Sequence, residues 1–497
     1  MHCDGGLIIV SEHVHTALED LFRVESDCSF AIWIDALCID QDDEIEKSKQ
    51  VPHMGAIYSL AGKVIVWVGR DQLVDQHYEQ LERLVDSVKS LPVANTWDER
   101  DERLTEAPPP VADKDELWIA VGNILSSRWF RRLWTVQELC LARSVDVLCG
   151  HYLISWDILE GLSKWAVKSP EYRSEFEFLD LCRRYFKGYE IYTAIILPDS
   201  LRERLVSKPI DRIYGLLFLL PDILRHQIKV DYSQEREYWI VYIKLAHLLL
   251  LQPGGLIILR FAPGKRPVQL PSWCPNWNAR QSILPFLSPS DLETGSGGLV
   301  WPSEASGVRL QDNLRNIEVL GFRIDRIVDT CSFPTKITVH GWEAELARQW
   351  VPWQQECLER LKAMKPNIPY NSVLSTHMRT LRMNMWGLSA GQKFSSKAIR
   401  EKDWPEIESC YEEALSCADH AHPPEAIESG DMDIPEFIKS NPTLMRDTTY
   451  FFTEQGRVGR GLRGEQAGDI LVVLYVELRE AIHRMIRLTI EGERSSG

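Results

Sequence analysis

Residues Lys63–Gly69 read KVIVWVG, and upstream of them Phe30–Asp35 read FAIWID. Both are near-continuous apolar runs of strand length, the pattern of strands covered on both faces. Between them an acidic loop leads into a segment with Val51, Met54, Ile57, Tyr58 and Ala61 on one helical face. Proline inside a helix costs roughly 3 kcal/mol, so this helix is expected to begin near Pro52. Upstream, Leu7–Val10 is a short β-branched run and His15–Phe22 has helical spacing; downstream, SVDVLCG (Ser144–Gly150) is a further strand. The alternation predicts an α/β domain: a parallel sheet with helices on both sides. Phe30–Asp35, Lys63–Gly69 and Val145–Cys149 are expected as neighbouring parallel strands, with Trp33 and Trp67 largely buried.

Beyond this core, residues 95–116 (NTWDERDERLTEAPPPVADKDE) are charge-rich with three consecutive prolines, a surface insertion. From residue 151 the pattern turns helical, with amphipathic segments at Trp156–Val167, Phe176–Ile196 and Tyr238–Leu251. Short strand-like runs follow at Leu256–Arg260 and Ile317–Ile327, then a helical tract at Trp342–Leu388. Pro405–Pro435 is acidic and loosely patterned, and DILVVLYV (Asp469–Val476) reads as a last strand. The organisation is therefore read as an α/β domain over 1–150, a mainly helical region over 151–255, and a mixed α+β region with a small β-rich part over 256–497.

A length of 497 residues leaves room for two or three cores. The net charge of −16 disfavours binding to phosphate backbones or anionic lipid, so no nucleic-acid partner is expected; the basic tail Arg479–Arg487 is the one local exception. The 11 cysteines are odd in number and lack framework spacing, which reads as a reducing compartment. The amino terminus has no basic region followed by a long apolar core, and the apolar stretch at Trp239–Leu251 is broken by Lys244 and His247. No membrane span and a cytoplasmic location are expected.

Gly459, Gly461 and Gly464 (GRGLRG) match a dinucleotide fingerprint in letters only. They precede a strand instead of following one, so the turn of a β-hairpin is the expected reading. Cys410, Cys417, His420 and His422 are spaced too widely for a zinc site, and no metal is expected. HExxH and Walker motifs are absent.

Two segments carry more. WIDALCIDQDDEIEKSKQV (Trp33–Val51) delivers Asp35, Asp40, Gln41 and Asp42 after an apolar run. These groups either line the carboxyl edge of the sheet, where ligands bind, or cap local amides and start the next helix. SSRWFRRLWTVQELCLAR (Ser126–Arg143), read as one helix, puts Trp129, Leu133, Val136 and Cys140 on a stripe with Phe130, Trp134 and Leu141 beside it. Glu138 falls at the border of that face, either desolvated and poised for chemistry or paired with Arg131 or Arg143.

These segments resemble the fungal heterokaryon-incompatibility (HET) domain, whose hallmarks are WIDA(I/L)CI(N/D)Q, QVxxMxxIY, a VxVWLG-like strand and RxWxxQE. They correspond here to Trp33–Gln41, Gln50–Tyr58, Val64–Gly69, and Arg132 through Trp134 to Glu138. DRIYGLLFLLPD (Asp211–Asp222), VDYS (Val230–Ser233), LPSWCPNW (Leu270–Trp277) and Gly456–Leu474 look like the segments that follow the domain in such proteins. The family usually opens with a strand reading Y-x-A-L-S-Y-x-W-G; the chain begins after that point, and the domain is expected to lack it. At the other end, ELREAIHRMIRL stands where relatives continue with a further strand.

The resemblance implies nonself recognition and programmed cell death, and a flavodoxin-like sheet of the Toll/interleukin-receptor (TIR) type. It implies a signalling and interaction module with protein partners, including self-association through the HET domain. The alternatives it leaves are a TIR-like NAD-cleaving effector or a degenerate, inactive member. In the enzyme reading Glu138 is the catalytic carboxylate, Asp35, Asp40, Gln41, Trp134 and Gln137 shape the pocket, and NAD is a substrate with no cofactor required. Glu138 is then expected to face a crevice at the carboxyl ends of the strands, near Asp35.

Overall fold

The computed structural model describes residues 2–24, 31–86, 116–165, 201–279, 308–332, 342–369 and 448–474, less a few positions within these stretches, together with isolated positions such as Leu179, Arg183, Leu197 and His377. It divides into two units, Met1–Val241 and Tyr242–Gly497. Both mix helices with small sheets. The 95–115 insertion, most of Phe176–Ile196, Pro405–Pro435, the 410–422 Cys/His group and the basic tail lie outside the described residues.

In the first unit, α1 (Glu12–Val24), α2 (Asp35–Cys38), α3 (Glu44–Gln50) and α4 (Met54–Leu60) lead to β1 (Val64–Gly69). Then come α5 (Gln72–Gln76), α6 (Glu116–Leu125), α7 (Trp134–Leu141), β2 (Val145–Cys149), β3 (Tyr152–Ser155) and α8 (Trp156–Trp165). β1 and β2 pair in parallel, Val64 opposite Val145 and Val66 opposite Val147, as their apolar runs require. β3 then pairs antiparallel to β2 across Gly150–His151, where Gly150 adopts φ +57°, so the sheet is mixed.

Phe30–Asp35 is not the third parallel strand. Phe30 lies outside the described residues, and no ladder among the described residues reaches Ala31–Ile34. The chain is extended at Ile34 and then coils into α2, with Leu37 and Cys38 N–H groups donating to the Ile34 carbonyl. An apolar run becomes an interior strand only where neighbours cover it on both sides, and here Ile32 is 42% exposed. Trp33 and Trp67 are accordingly half-buried. Trp67 donates its indole N–H to Asp20 at 3.0 Å and meets the His13 ring edge-on.

The helix expected to begin near Pro52 does so: α4 follows directly on the turn that holds this proline. Asp43 caps α3 by accepting from the Ile45 and Glu46 N–H groups, and Pro52 sits in a 3₁₀ turn, Val51–His53, that joins α3 to α4. The expected single helix over Ser126–Arg143, by contrast, is broken. A 3₁₀ turn (Arg128–Arg131) ends where Arg132 becomes extended and bridges Leu205; Leu205 N–H donates to the Arg131 carbonyl and Leu133 N–H to that of Leu205. α7 begins only after this bridge.

One apolar core joins β1 and β2 to α6, α7 and α8 and continues through Leu201, Leu216 and Leu219. Among the described residues, packing therefore runs on without a break at residue 150. Trp156 is buried among Trp129 and Phe130, with ring centroids 6.4 and 6.2 Å away. Gly55, in α4, is needed for another reason: a Cβ there would lie 2.1 Å from the Phe218 ring and 2.7 Å from the Phe218 Cβ. Gly55→Ala is expected to lower unfolding stability by about 1–3 kcal/mol through this overpacking, read as a shifted urea midpoint with unchanged slope.

The second unit takes in most of α9 (Trp239–Leu250), whose Tyr242 packs edge-on to Trp277 at 5.3 Å. Gly255–Phe261 is a 3₁₀ helix, not the strand-like run expected around Leu256–Arg260. β4 (Val308–Leu310) pairs with β5 (Ile317–Val319). A separate antiparallel sheet has β6 (Gly321–Ser332) and β7 (Thr448–Thr453) at its centre, with β8 (Val458–Leu462) and β9 (Ile470–Leu474) outside them. α10 (Trp342–Met364) packs on β6. The hairpin turn sits at Gln455–Gly456, so Gly459 and Gly461 lie within β8 instead of in the turn. Gly459 faces Phe451, whose ring occupies the space a side chain would fill.

Among the described residues no helix is long and apolar enough to cross a membrane.

Candidate functional site

α4 and α7 pack against each other and bring two distant motifs together. Tyr58 comes from α4, Glu138 from α7, Arg132 from the extended step before α7, and Asp35 from the first turn of α2. The Trp33 ring meets Tyr58 edge-on at 5.8 Å. Trp129 donates its indole N–H to Glu138 Oε2 at 3.2 Å.

The electrostatics of the group follow from its burial. Desolvation pushes the Glu138 carboxyl up to about 7; Arg132 opposes this, Asp35 adds to it, and the Trp129 hydrogen bond opposes it. Tyr58 is held well above the usual phenol range by burial first, then by the charges of Glu138 and Asp35, against Arg132. At neutral pH Tyr58 keeps its proton and Glu138 is poised near half-protonation. A carboxyl that titrates near the working pH can give or take a proton at little cost.

Glu138 makes no ion pair within 4 Å among the described residues, so neither expected arginine holds it. Arg143 instead donates to the Ser59 carbonyl at 2.9 Å, tying α4 to the end of α7. Arg183 performs a related service, capping the α7 carbonyls of Leu139 and Ala142 at 2.7 and 3.3 Å.

The other sequence-predicted residues are engaged in bracing. Asp35 Oδ1 accepts from the Ala36 N–H at 2.8 Å. Asp40 Oδ1 accepts from Asp42 N–H at 3.0 Å, and Gln41 donates its amide to the Asp35 and Ile39 carbonyls. These contacts shape the loop between α2 and α3. Gln137 is buried; its Oε1 accepts from Phe218 N–H at 3.4 Å. Trp134 donates to Asp211, which also accepts from the Tyr232 hydroxyl at 2.8 Å. Burial pushes the Asp211 carboxyl up and these two hydrogen bonds pull it down. Trp134 and Gln137 thus fasten α7 to the Asp211–Phe218 segment.

Glu138 and Tyr58 sit on the helices that lead into the amino ends of β2 and β1. The carboxyl ends of those strands carry a different polar set. Arg70 pairs with Asp20 and Glu19, Asp71 caps α5 and accepts from Asn123, and Asp75 lies 3.4 Å from His151. Cys149, between them, is pushed up to about 12 by burial and by Asp71 and Asp75. Among the described residues no group of three or more His, Cys, Asp or Glu side chains could hold a metal ion.

Sequence reasoning misses Tyr58, Arg132 and Asp211 as members of a site. Tyr58 falls on the apolar stripe of its helix and reads as core. The available signal is its hydroxyl on that stripe, and for Asp211 a lone carboxylate amid DRIYGLLFLL.

Residues 1–138 match the family described as heterokaryon incompatibility protein (HET). The chain is similar to heterokaryon incompatibility protein 6, OR allele, of Neurospora crassa, with 27% identity over 329 residues, 52% of this chain and 47% of that protein. It therefore spans about half the length of this curated relative. No solved structure matches. The matched residues end at Glu138 and contain Asp35, Tyr58 and Arg132, so the chain carries a HET domain whose hallmark motifs converge on one partly buried cluster.

Proposed function

We propose that this chain is a fungal incompatibility protein whose HET domain acts as a signalling module in nonself recognition and the cell death that follows it. The observation that carries this reading is the convergence of three hallmark motifs, through Asp35, Tyr58 and Glu138, within the residues that match the HET family. We further propose a TIR-like arrangement of the domain, supported by the parallel pairing of β1 with β2 and the helices that precede each strand. Protein partners, including a second copy of the domain, fit a module that signals by association.

Inducible expression of the full chain in a fungal host tests this. Colony-forming units are expected to fall on induction relative to an empty vector. Unchanged viability with the chain accumulating at full length would sink the reading.

A second reading, NAD cleavage, would rest on one feature: Glu138 is partly accessible and held by an indole N–H, not by an arginine. A ribose could displace such a contact. If the purified chain consumes NAD, Glu138→Gln should lower the rate roughly 10²-fold or more. Equal turnover in both proteins removes Glu138 from that chemistry.

A further inference from the structure

α10 is fastened to β6 along one helical face. Trp353 donates its indole N–H to the Cys331 carbonyl at 3.2 Å. Two turns further along, Arg360 donates to Asp329 Oδ2 at 2.7 Å and to the Thr330 carbonyl at 3.3 Å. Residues 353, 357 and 360 share one face of a helix, so Cys357 lies between these two anchors, directly over Cys331. The two thiols are hydrogen-bonded to each other, and both are reduced. Cys357 is fully buried; Cys331 is 5% exposed, between the exposed residues Asp329 and Ser332.

We propose that Cys331 and Cys357 form a redox-active dithiol, oxidised by peroxides to a disulfide that staples α10 to β6. The chemistry has an attacking and a resolving partner. The hydrogen bond donated by Cys357 lowers Cys331 from its ordinary range against the opposing effect of burial, with Glu356 also opposing and Arg360 helping. Burial and the same shared bond push Cys357 up. Cys331, the more accessible and more acidic thiol, is the nucleophile. Its thiolate attacks a peroxide oxygen, the O–O bond breaks, and an alcohol or water leaves, which makes a sulfenic acid on Cys331. The Cys357 sulfur then attacks the Cys331 sulfur, forming the S–S bond and releasing water. Two thiol hydrogens and two electrons have gone to the peroxide.

This inference concerns the second unit and stands apart from the HET reading. The test treats the folded full chain with hydrogen peroxide, alkylates remaining thiols after denaturation, and maps peptides without reductant. A Cys38→Ser background removes one exposed thiol that competes for oxidant. The expected result is a linked Cys331–Cys357 peptide pair, two hydrogens lighter than the sum of the free peptides and absent after dithiothreitol. Cys357→Ser should eliminate the link and leave Cys331 as sulfenic or sulfinic acid. Three outcomes would overturn the proposal: both cysteines alkylated after treatment, a link that forms only in denaturant, or wild-type Cys331 over-oxidised beside a free Cys357. The wild-type arm decides even if the variant folds poorly.

Discussion

Glu138→Gln is expected to make the protein more stable above pH 7, by up to about 3 kcal/mol, and to bring no gain near pH 4.5. The Glu138 carboxyl titrates at about 7 in the folded protein, against 4.5 for an unperturbed glutamate, because burial disfavours its charged form. Between those values the folded state holds a proton that the unfolded state has released. Stability therefore falls as pH rises through this window, and the full cost is present above the folded value. Glutamine keeps the shape and an oxygen to accept from Trp129, yet it never ionises, so the variant should lack this decline. Urea unfolding at pH 5 and pH 8 measures it. A difference between wild type and variant that does not change with pH would show that the Glu138 carboxylate is solvated at no cost. This prediction holds whether the domain signals by association or cleaves NAD, since it concerns only the charge state of the group.

The second large effect is expected at Asp211. Asp211→Ala would leave the buried Tyr232 hydroxyl, and the indole N–H of the half-buried Trp134, beside a missing acceptor. A buried donor left without a partner costs about 1–3 kcal/mol and the half-buried indole adds less, so a combined loss of about 1–4 kcal/mol is expected. Asp211→Asn retains an oxygen acceptor and should recover a good part of it. The damage should also spread, because Trp134 opens α7, the helix that carries Glu138. The pH dependence tied to Glu138 should therefore weaken in Asp211→Ala and persist in Asp211→Asn. A loss in stability equal in the two variants would mean that the carboxylate's charge, not its acceptor oxygens, holds the segment.

Both predictions depend on partners far apart in sequence, and the boundary of what the sequence decides runs along that line. The runs VIVWVG and VDVLC become parallel neighbours because near-continuous apolar content demands cover on both faces, a property each segment carries by itself. The helix at Trp239–Leu250 and the strand at Ile470–Leu474 were legible for the same local reason. The HET motifs, read in order along the chain, likewise identified the amino-terminal domain. What the motifs could not say was which of their polar groups meet.

Asp35 and Glu138 were legible as candidates, but the phenol between them was not, since Tyr58 has the spacing of a core residue. Trp134 and Gln137 read as pocket residues, yet they face Asp211 and Phe218, more than seventy positions downstream. The helix break at Arg132 has a similar origin, for it is imposed by a backbone bridge to Leu205 and by nothing in the local sequence. FAIWID has the composition of an interior strand, but composition does not supply the neighbours that a strand needs. Periodicity records which positions seek burial and leaves open what will cover them. The partner of a buried hydrogen bond or charge is chosen only when distant segments pack, and that choice belongs to the tertiary structure.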